Sequence, residues 1–201
     1  ESSMQYEKDK FFFLLNGFYN NSPNYHQYTK LGGQYVPGAD WIEWGSGSTG
    51  WLYKYEMQGI KSEISGGEFQ AGYKGRAIDI TTDFSFVRGK NTLINENLAY
   101  MPPDKISFLV STKSNKDLSA SIRFKKVFEQ TLISKFETQT PGYFLIDTFG
   151  SYTFRSDQGT HRLVFQLNNI LDETYYNHLS KIKLIMPESG RSISLQYRYL
   201  F

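Results

Sequence analysis

The side chains best suited to chemistry in this chain gather between residues 25 and 53: Tyr25, His26, Tyr28, Tyr35, Asp40, Trp41, Glu43, Trp44, Trp51 and Tyr53. All three tryptophans lie among them. Flat rings beside two carboxylates suit capture of an aromatic, sugar-like or metal-chelate ligand by stacking, with Asp40 or Glu43 orienting it. The same amphipathic rings also suit a belt at a membrane–water interface, and the residue types alone leave both readings open. Residues 45–50, Gly-Ser-Gly-Ser-Thr-Gly, read as a mobile tip.

Catalysis finds little to work with. His26, His161 and His178 are far apart and form no His-Glu-x-x-His pair, so no metal site is expected. Cysteine is absent, which removes disulfides, thiolate ligands and thiol nucleophiles together. Ser65, Gly66 and Gly67 lack the strand-to-helix setting of a nucleophile elbow or phosphate loop. Asp79 and Asp83 sit on one face of a strand, which suits the wall of an aqueous lumen better than a glycosidase pair. His178 reads either as a hydrogen-bonded loop histidine or as a ligand contact. The expectation is no enzyme, no catalytic residue and no cofactor. A net charge of +2 without a long basic block also gives no reason to expect nucleic acid.

Strands must position these groups. In the last ten positions Ile193, Leu195, Tyr197, Tyr199 and Phe201 alternate with Ser192, Ser194, Gln196, Arg198 and Leu200, the period-two pattern of a β-strand. A slip of one residue would turn the polar set toward the greasy side. A lipid-facing arginine costs about 2–4 kcal/mol at the midplane but about 0–1 kcal/mol near an interface. Arg198 lies near the end, so the summed loss of apolar contacts decides the register. The pattern recurs upstream: Ile78, Ile80, Thr82, Phe84 and Phe86 alternate with Asp79, Thr81, Asp83 and Ser85, and Leu118, Ala120, Ile122 and Phe124 with Ser119, Ser121, Arg123 and Lys125. Ile106, Phe108 and Val110, then Phe144, Ile146, Tyr152 and Phe154, then Leu163, Phe165 and Leu167 define further faces. Residues 10–20 and 51–74 complete about eight strands. Phe11, Phe12, Phe13, Leu14 and Leu15 leave the first strand's faces ambiguous, and Gly59, Gly66, Gly67 and Gly72 suggest bulges or tight curvature in the second.

Connections at 75, 114–117 and 156–159 are short, whereas those at 21–50, 89–103, 132–141 and 175–189 are long. In outer-membrane barrels short turns are periplasmic and long loops extracellular, and a polar lumen lowers the average hydropathy of an aromatic-rich chain. Here the mean hydropathy is −0.48, and no apolar run is long enough for a transmembrane helix. The fold expected is all-β, a transmembrane antiparallel β-barrel or a segment of one. Residues 1–10 are charged and carry no signal sequence, so an exported chain would be processed or partial.

The run Leu-Asn-Asn-Ile-Leu-Asp-Glu-Thr-Tyr at residues 167–175, followed by Pro187, Gly190, Arg191 and an alternating strand ending on Phe201, resembles the carboxyl terminus of TonB-dependent outer-membrane receptors. Ser189 stands where that family often has a second proline. Residues 17–21, 65–73 and 140–147 also resemble it, so the likeness spans nearly the whole chain. The resemblance implies that residues 1–201 are the last strands of a barrel of about 22, whose lumen holds a plug supplied by the amino-terminal part of the receptor. It implies import of a scarce ligand, an iron-siderophore, other metal chelate or vitamin, across the outer membrane of a Gram-negative bacterium, driven by the TonB energy complex. Ile193, Leu195, Tyr197, Tyr199 and Phe201 would be the signal read by the barrel-assembly machinery. Partners would be outer-membrane lipid, the remaining strands and plug, and the ligand, with Tyr25, His26, Tyr28, Asp40, Trp41, Glu43, Trp44 and His178 as contact candidates. A self-contained eight-stranded barrel with a structural or adhesive role is the alternative, and a membrane-embedded enzyme comes third. The first two separate on whether residues 11–19 bond to residues 193–201.

Overall fold

The computed structural model describes residues 1–30, 41–43, 51–53, 55–112, 117–135 and 137–201. They contain no helix. The strands are β1 (Ser2–Lys8), β2 (Phe11–Lys30), β3 (Trp41–Glu43), β4 (Trp51–Tyr53), β5 (Tyr55–Lys74), β6 (Ile78–Asn91), β7 (Glu96–Asn97), β8 (Lys105–Thr112), β9 (Leu118–Val127), β10 (Tyr143–Ser156), β11 (Gly159–Asn168) and β12 (Ser192–Leu200). One antiparallel sheet runs β1-β2-β5-β6-β8-β9-β10-β11-β12, with β7 beside β6, while β3 and β4 pair separately. The sheet is open, with β1 and β12 at its edges. β2 pairs with β1 on one side and β5 on the other, so residues 11–19 do not bond to β12.

Directly opposed residues of an antiparallel pair share a face, so the register carries the faces of β12 across the sheet. Leu195 opposes Phe165, Leu163 opposes Tyr152, Ile146 opposes Phe124, Phe124 opposes Phe108, and Ile106 opposes Phe84. Phe84 then opposes Phe69, Phe69 opposes Leu15, and Leu15 opposes Met4. One face is therefore apolar from edge to edge. These side chains are exposed or half-buried, most exposed toward β12, where Ile193 is 70% and Leu195 73% accessible. Among the described residues the buried apolar core is small, and a cluster of Val127, Tyr143 and Leu145 lies at the long-loop end. Apolar side chains turned outward over a whole sheet fit lipid as their solvent.

The strand count needs correction. Residues 7–10 read as a charged turn, yet Ser2–Lys8 pairs with β2 and only Asp9 and Lys10 make the turn, Asp9 at φ 53°. A short polar side chain tolerates that left-handed conformation. The long connection expected from residue 21 also begins later, because β2 continues to Lys30. Its register with β5 shifts between Ser22 and Tyr25, where Pro23 and Asn24 oppose a single residue. Proline has no N–H to donate, and a bulge is where a strand accepts it. At about 3.3 Å per residue, twenty-residue β2 and β5 extend well past a hydrocarbon layer of about 30 Å.

The register also resolves the first strand's faces: Phe11, Phe13 and Leu15 share the apolar face, and Phe12, Leu14 and Phe18 the polar one. The glycines of β5 explain how the polar face holds those rings. Phe18 lies over Gly66, where an added Cβ would sit 2.6 Å from its ring, and Phe12 lies over Gly72. Both pairs are in continuous register, so these glycines serve ring packing; of the four, Gly59 alone faces the bulge, against Asn24.

Candidate functional site

Short connections and long ones fall at opposite ends of the sheet. Residues 9–10, 75–77 and 157–158 turn the chain at one end, while 92–104, 128–142 and 169–191 form long connections at the other. The expected turn at 114–117 lies outside the described residues except for Asp117, which accepts the Thr153 N–H at 2.6 Å.

The long connections pack on one another. The Gln130 amide donates to the Met101 carbonyl at 2.8 Å, and Asn97 donates to the Ile133 carbonyl at 3.4 Å. Glu137 accepts the Tyr100 N–H at 2.8 Å and the Ser134 N–H at 3.0 Å, and Lys135 pairs with Glu96. Residues 169–191 close over this base. Tyr175 packs on Tyr143 with the rings tilted by 37° and their centroids 4.4 Å apart, against the cluster of Val127 and Leu145. Burial, and then Glu188 and Asp147, push its hydroxyl above the usual tyrosine range.

His178 is buried, 2% accessible, between two of these connections. Its Nδ1 lies 2.8 Å from the Thr140 hydroxyl and 3.1 Å from Lys183 Nζ, which also donates to Thr140 Oγ1 at 2.8 Å and to the Thr138 carbonyl at 2.7 Å. An ammonium only donates, so Nδ1 accepts and the neutral ring carries its proton on Nε2, 3.5 Å from Glu137 Oε1. Burial, and then the neighbouring Lys183 charge, hold the imidazole below its ordinary range, with Glu137 opposing. Lys183 is lowered by burial, again against Glu137. His178 is thus a hydrogen-bonded loop histidine, clasping residues 128–142 to residues 169–191.

The terminal motif has a structural explanation too. Asn169, at φ 51°, exchanges two 2.9 Å hydrogen bonds with the Glu173 backbone, and its own N–H donates to Asp147 at 2.9 Å. Asp172, at φ 56°, accepts the Arg191 N–H at 2.8 Å. A Cβ on Gly190 would approach that carboxylate to 2.9 Å. The Asn-Asn-x-x-Asp run and the Gly-Arg pair are therefore the two ends of one closure.

Of the stacking candidates, Asp40 and Trp44 lie outside the described residues, as do Tyr35 and residues 45–50. Trp41 and Glu43 fall in β3, opposite Tyr53 and Trp51 of β4. Tyr25, His26 and Tyr28 stand on the extended end of β2, with Tyr25 half-buried and the other two exposed. Tyr28 reaches the last long connection: Lys181 Nζ lies 5.4 Å from its ring centroid. The structure thus brings Tyr28 beside the segment that holds His178. Sequence reasoning did not single out Glu137, Thr140 and Lys183, whose types and spacing give no local signal.

The polar face is a second place where chemistry gathers. Asp83 accepts from Gln70 at 2.7 Å and from the Ser107 hydroxyl at 3.1 Å. It lines a recess of about 200 Å³ together with Lys105, Arg123 and Lys125 among others.

No family model matches the chain. Among solved structures it is similar to the copper transporter OprC, with 20% identity and a TM-score of 0.77 over 97% of this chain and 29% of that one. It is similar to the FrpB iron transporter from Neisseria meningitidis, with 12% identity and a TM-score of 0.68 over 98% of this chain and 29% of that one. It also matches the siderophore receptor PirA from Acinetobacter baumannii, with 17% identity and a TM-score of 0.65 over 98% and 30%. The chain thus spans about three tenths of these proteins' length. Its fold is that of part of these proteins.

Proposed function

We propose that this chain is the closing segment of an outer-membrane receptor that binds a scarce ligand outside the cell and imports it with energy from the TonB complex. A metal chelate, an iron-siderophore foremost, is the ligand this reading favours. The observation that carries it is the match of the whole sheet to part of three proteins named for copper or iron uptake. The apolar outer face supports lipid as one partner. The open edges of β1 and β12 support further strands of the same receptor as another, since unpaired strand edges are costly in lipid. On this reading the long connections face outward, and the aromatic stretch around Trp41 and Trp44 captures ligand. The plug, the assembly machinery and the TonB contacts follow from the family resemblance. A self-closed small barrel would need β12 to pair with β1 or β2.

The test is uptake of radiolabelled iron chelates and copper by cells with and without the full-length gene. Loss of uptake on deletion, restored by the gene, is the expected result. Unchanged accumulation of every chelate tried overturns the reading. Within that assay, replacing Trp41 and Trp44 together by Ala should weaken ligand capture roughly tenfold or more, on the scale of removing aromatic anchors, with normal receptor abundance.

A further inference from the structure

Residues 175–188 form a compact loop that closes on itself. The Glu188 N–H donates to the Tyr175 carbonyl at 2.9 Å. Within the loop the Ser180 N–H donates to the Asn177 carbonyl at 3.0 Å, and the Ile185 and Met186 N–H groups to the Ile182 carbonyl at 2.9 Å. A loop bonded internally in this way opens and closes as a unit. Among the described residues its side-chain hydrogen bonds to the rest of the chain come from His178 and Lys183 alone, both to residues 138–140. Its tip adds little hold, since Leu184 is 76% and Ile185 85% accessible. Beyond that fastening the loop reaches β2, where Lys181 Nζ lies 5.4 Å from the Tyr28 ring centroid. Between β11 and β2 stand β10, β9, β8, β6 and β5, so the loop bridges strands that do not touch.

The fastening depends on one proton. Neutral His178 accepts at Nδ1 from the Thr140 hydroxyl at 2.8 Å and from Lys183 Nζ at 3.1 Å. A proton on Nδ1 turns that acceptor into a donor aimed at an ammonium, which has no lone pair, and at a hydroxyl oxygen that already accepts from Lys183. It also sets two cations against each other in a buried site, where like charges disfavour ionisation. The charged groups facing the ring are Lys183 from its own connection and Glu137 from residues 128–142, with Oε1 3.5 Å from Nε2. From residues 92–104 the Tyr100 N–H engages that same carboxylate, which also accepts the Ser134 N–H. The neutral ring already turns its Nε2 proton toward Glu137, so charging the ring forms no new hydrogen bond there. We propose that residues 175–188 are an acid-released strap: neutral His178 fastens them to residues 138–140 so that they reach the end of β2, and protonation of His178 unfastens them and frees the Tyr28 ring from Lys181. The strap rests on the packing of the connections and not on transport.

The experiment uses the full-length polypeptide carrying this chain, purified in detergent, with spin labels on Met57→Cys and Ile185→Cys. Met57 opposes Tyr28, both positions are exposed, and these 201 residues hold no native cysteine. Pulsed electron resonance reads the distance between the labels from pH 7.5 to pH 4.5. The expected result is one narrow distance at pH 7.5 and a longer, broader population that dominates at pH 4.5 and reverses on neutralisation. In His178→Gln the amide oxygen still accepts from Thr140 and Lys183 but takes no proton, so the narrow distance should persist throughout. A distance that stays unchanged with His178 present, or the same widening in His178→Gln, overturns the strap. Should His178→Gln be broad already at pH 7.5, Glu137→Gln decides. Removing the carboxylate that favours the charged ring moves the midpoint to lower pH when His178 is the switch, and an unmoved midpoint overturns it. The distances are read without ligand, so the outcome is independent of the uptake assay.

Discussion

The two faces of the sheet obey different rules. On the apolar face every position meets one environment, and a substitution is judged by its transfer from water to lipid. On the polar face each position meets its own neighbours: Phe12 over Gly72, Asp83 between Gln70 and Ser107, and Lys105, Arg123 and Lys125 with Asp83 around a recess. The comparison teaches that stability is spread evenly over one face and specificity is concentrated on the other.

Arginine exchanges break the comparison most sharply. If the apolar face meets lipid as proposed, Phe124→Arg, in the middle of β9 between Phe108 and Ile146, should cost about 2–4 kcal/mol and sharply reduce the amount of folded protein. Ser121→Arg on the opposite face should leave that amount near wild type. Equal loss in both would mean that the faces are assigned wrongly. Next in size, Gly72→Val should cost roughly 1–3 kcal/mol by overpacking, since an added Cβ collides with the Phe12 ring and lies 3.0 Å from the Ile80 carbonyl. Adding Phe12→Ala should recover part of it in a double-mutant cycle, and strict additivity would remove the ring-over-glycine explanation.

Acid should act on the long connections and spare both faces. The buried His178 has a folded pKa below its ordinary value, so the unfolded clasp binds the extra proton. Its contribution is complete above about pH 6.5, the unfolded value, and falls as pH drops through the depressed folded value. Hydrogen exchange in residues 128–142 and 169–191 should therefore rise between pH 7.5 and 5 while the strands stay protected, and His178→Gln should flatten the response. The smallest effect belongs to the exposed Lys74–Glu7 pair, 2.6 Å apart near the short turns: Glu7→Gln should change stability by less than about 1 kcal/mol.

Period-two alternation was enough to read β6, β8, β9, β10, β11 and β12, because one face of each asks for an apolar side chain at every second step; the two-residue β7 lies inside the expected loop at 89–103 and is too short to show a period. The alternation failed at the start of the chain for physical reasons. In Ser2–Lys8 only Met4 and Tyr6 mark the apolar face, too few to stand out from a charged segment. Pro23 resembles a strand end, yet a bulge carries β2 past it. The glycines of β5 could be recognised as special, but their reason, rings from a strand some fifty residues away in sequence, lies in cross-strand pairing.

For the functional residues the division is similar. His178 was visible as one of three histidines, while the partners that make it a clasp, Glu137, Thr140 and Lys183, come from two long connections and meet only on folding. The amino-acid sequence by itself determined the all-β class, the two faces, the register of the closing strand and the family resemblance, since alternation and terminal motifs are local properties of the chain. Tertiary structure decided the open edges, the packing of the long connections and the meeting of Lys105 with Arg123 and Lys125. Each depends on which strand lies beside which, a choice that pairing between distant residues makes.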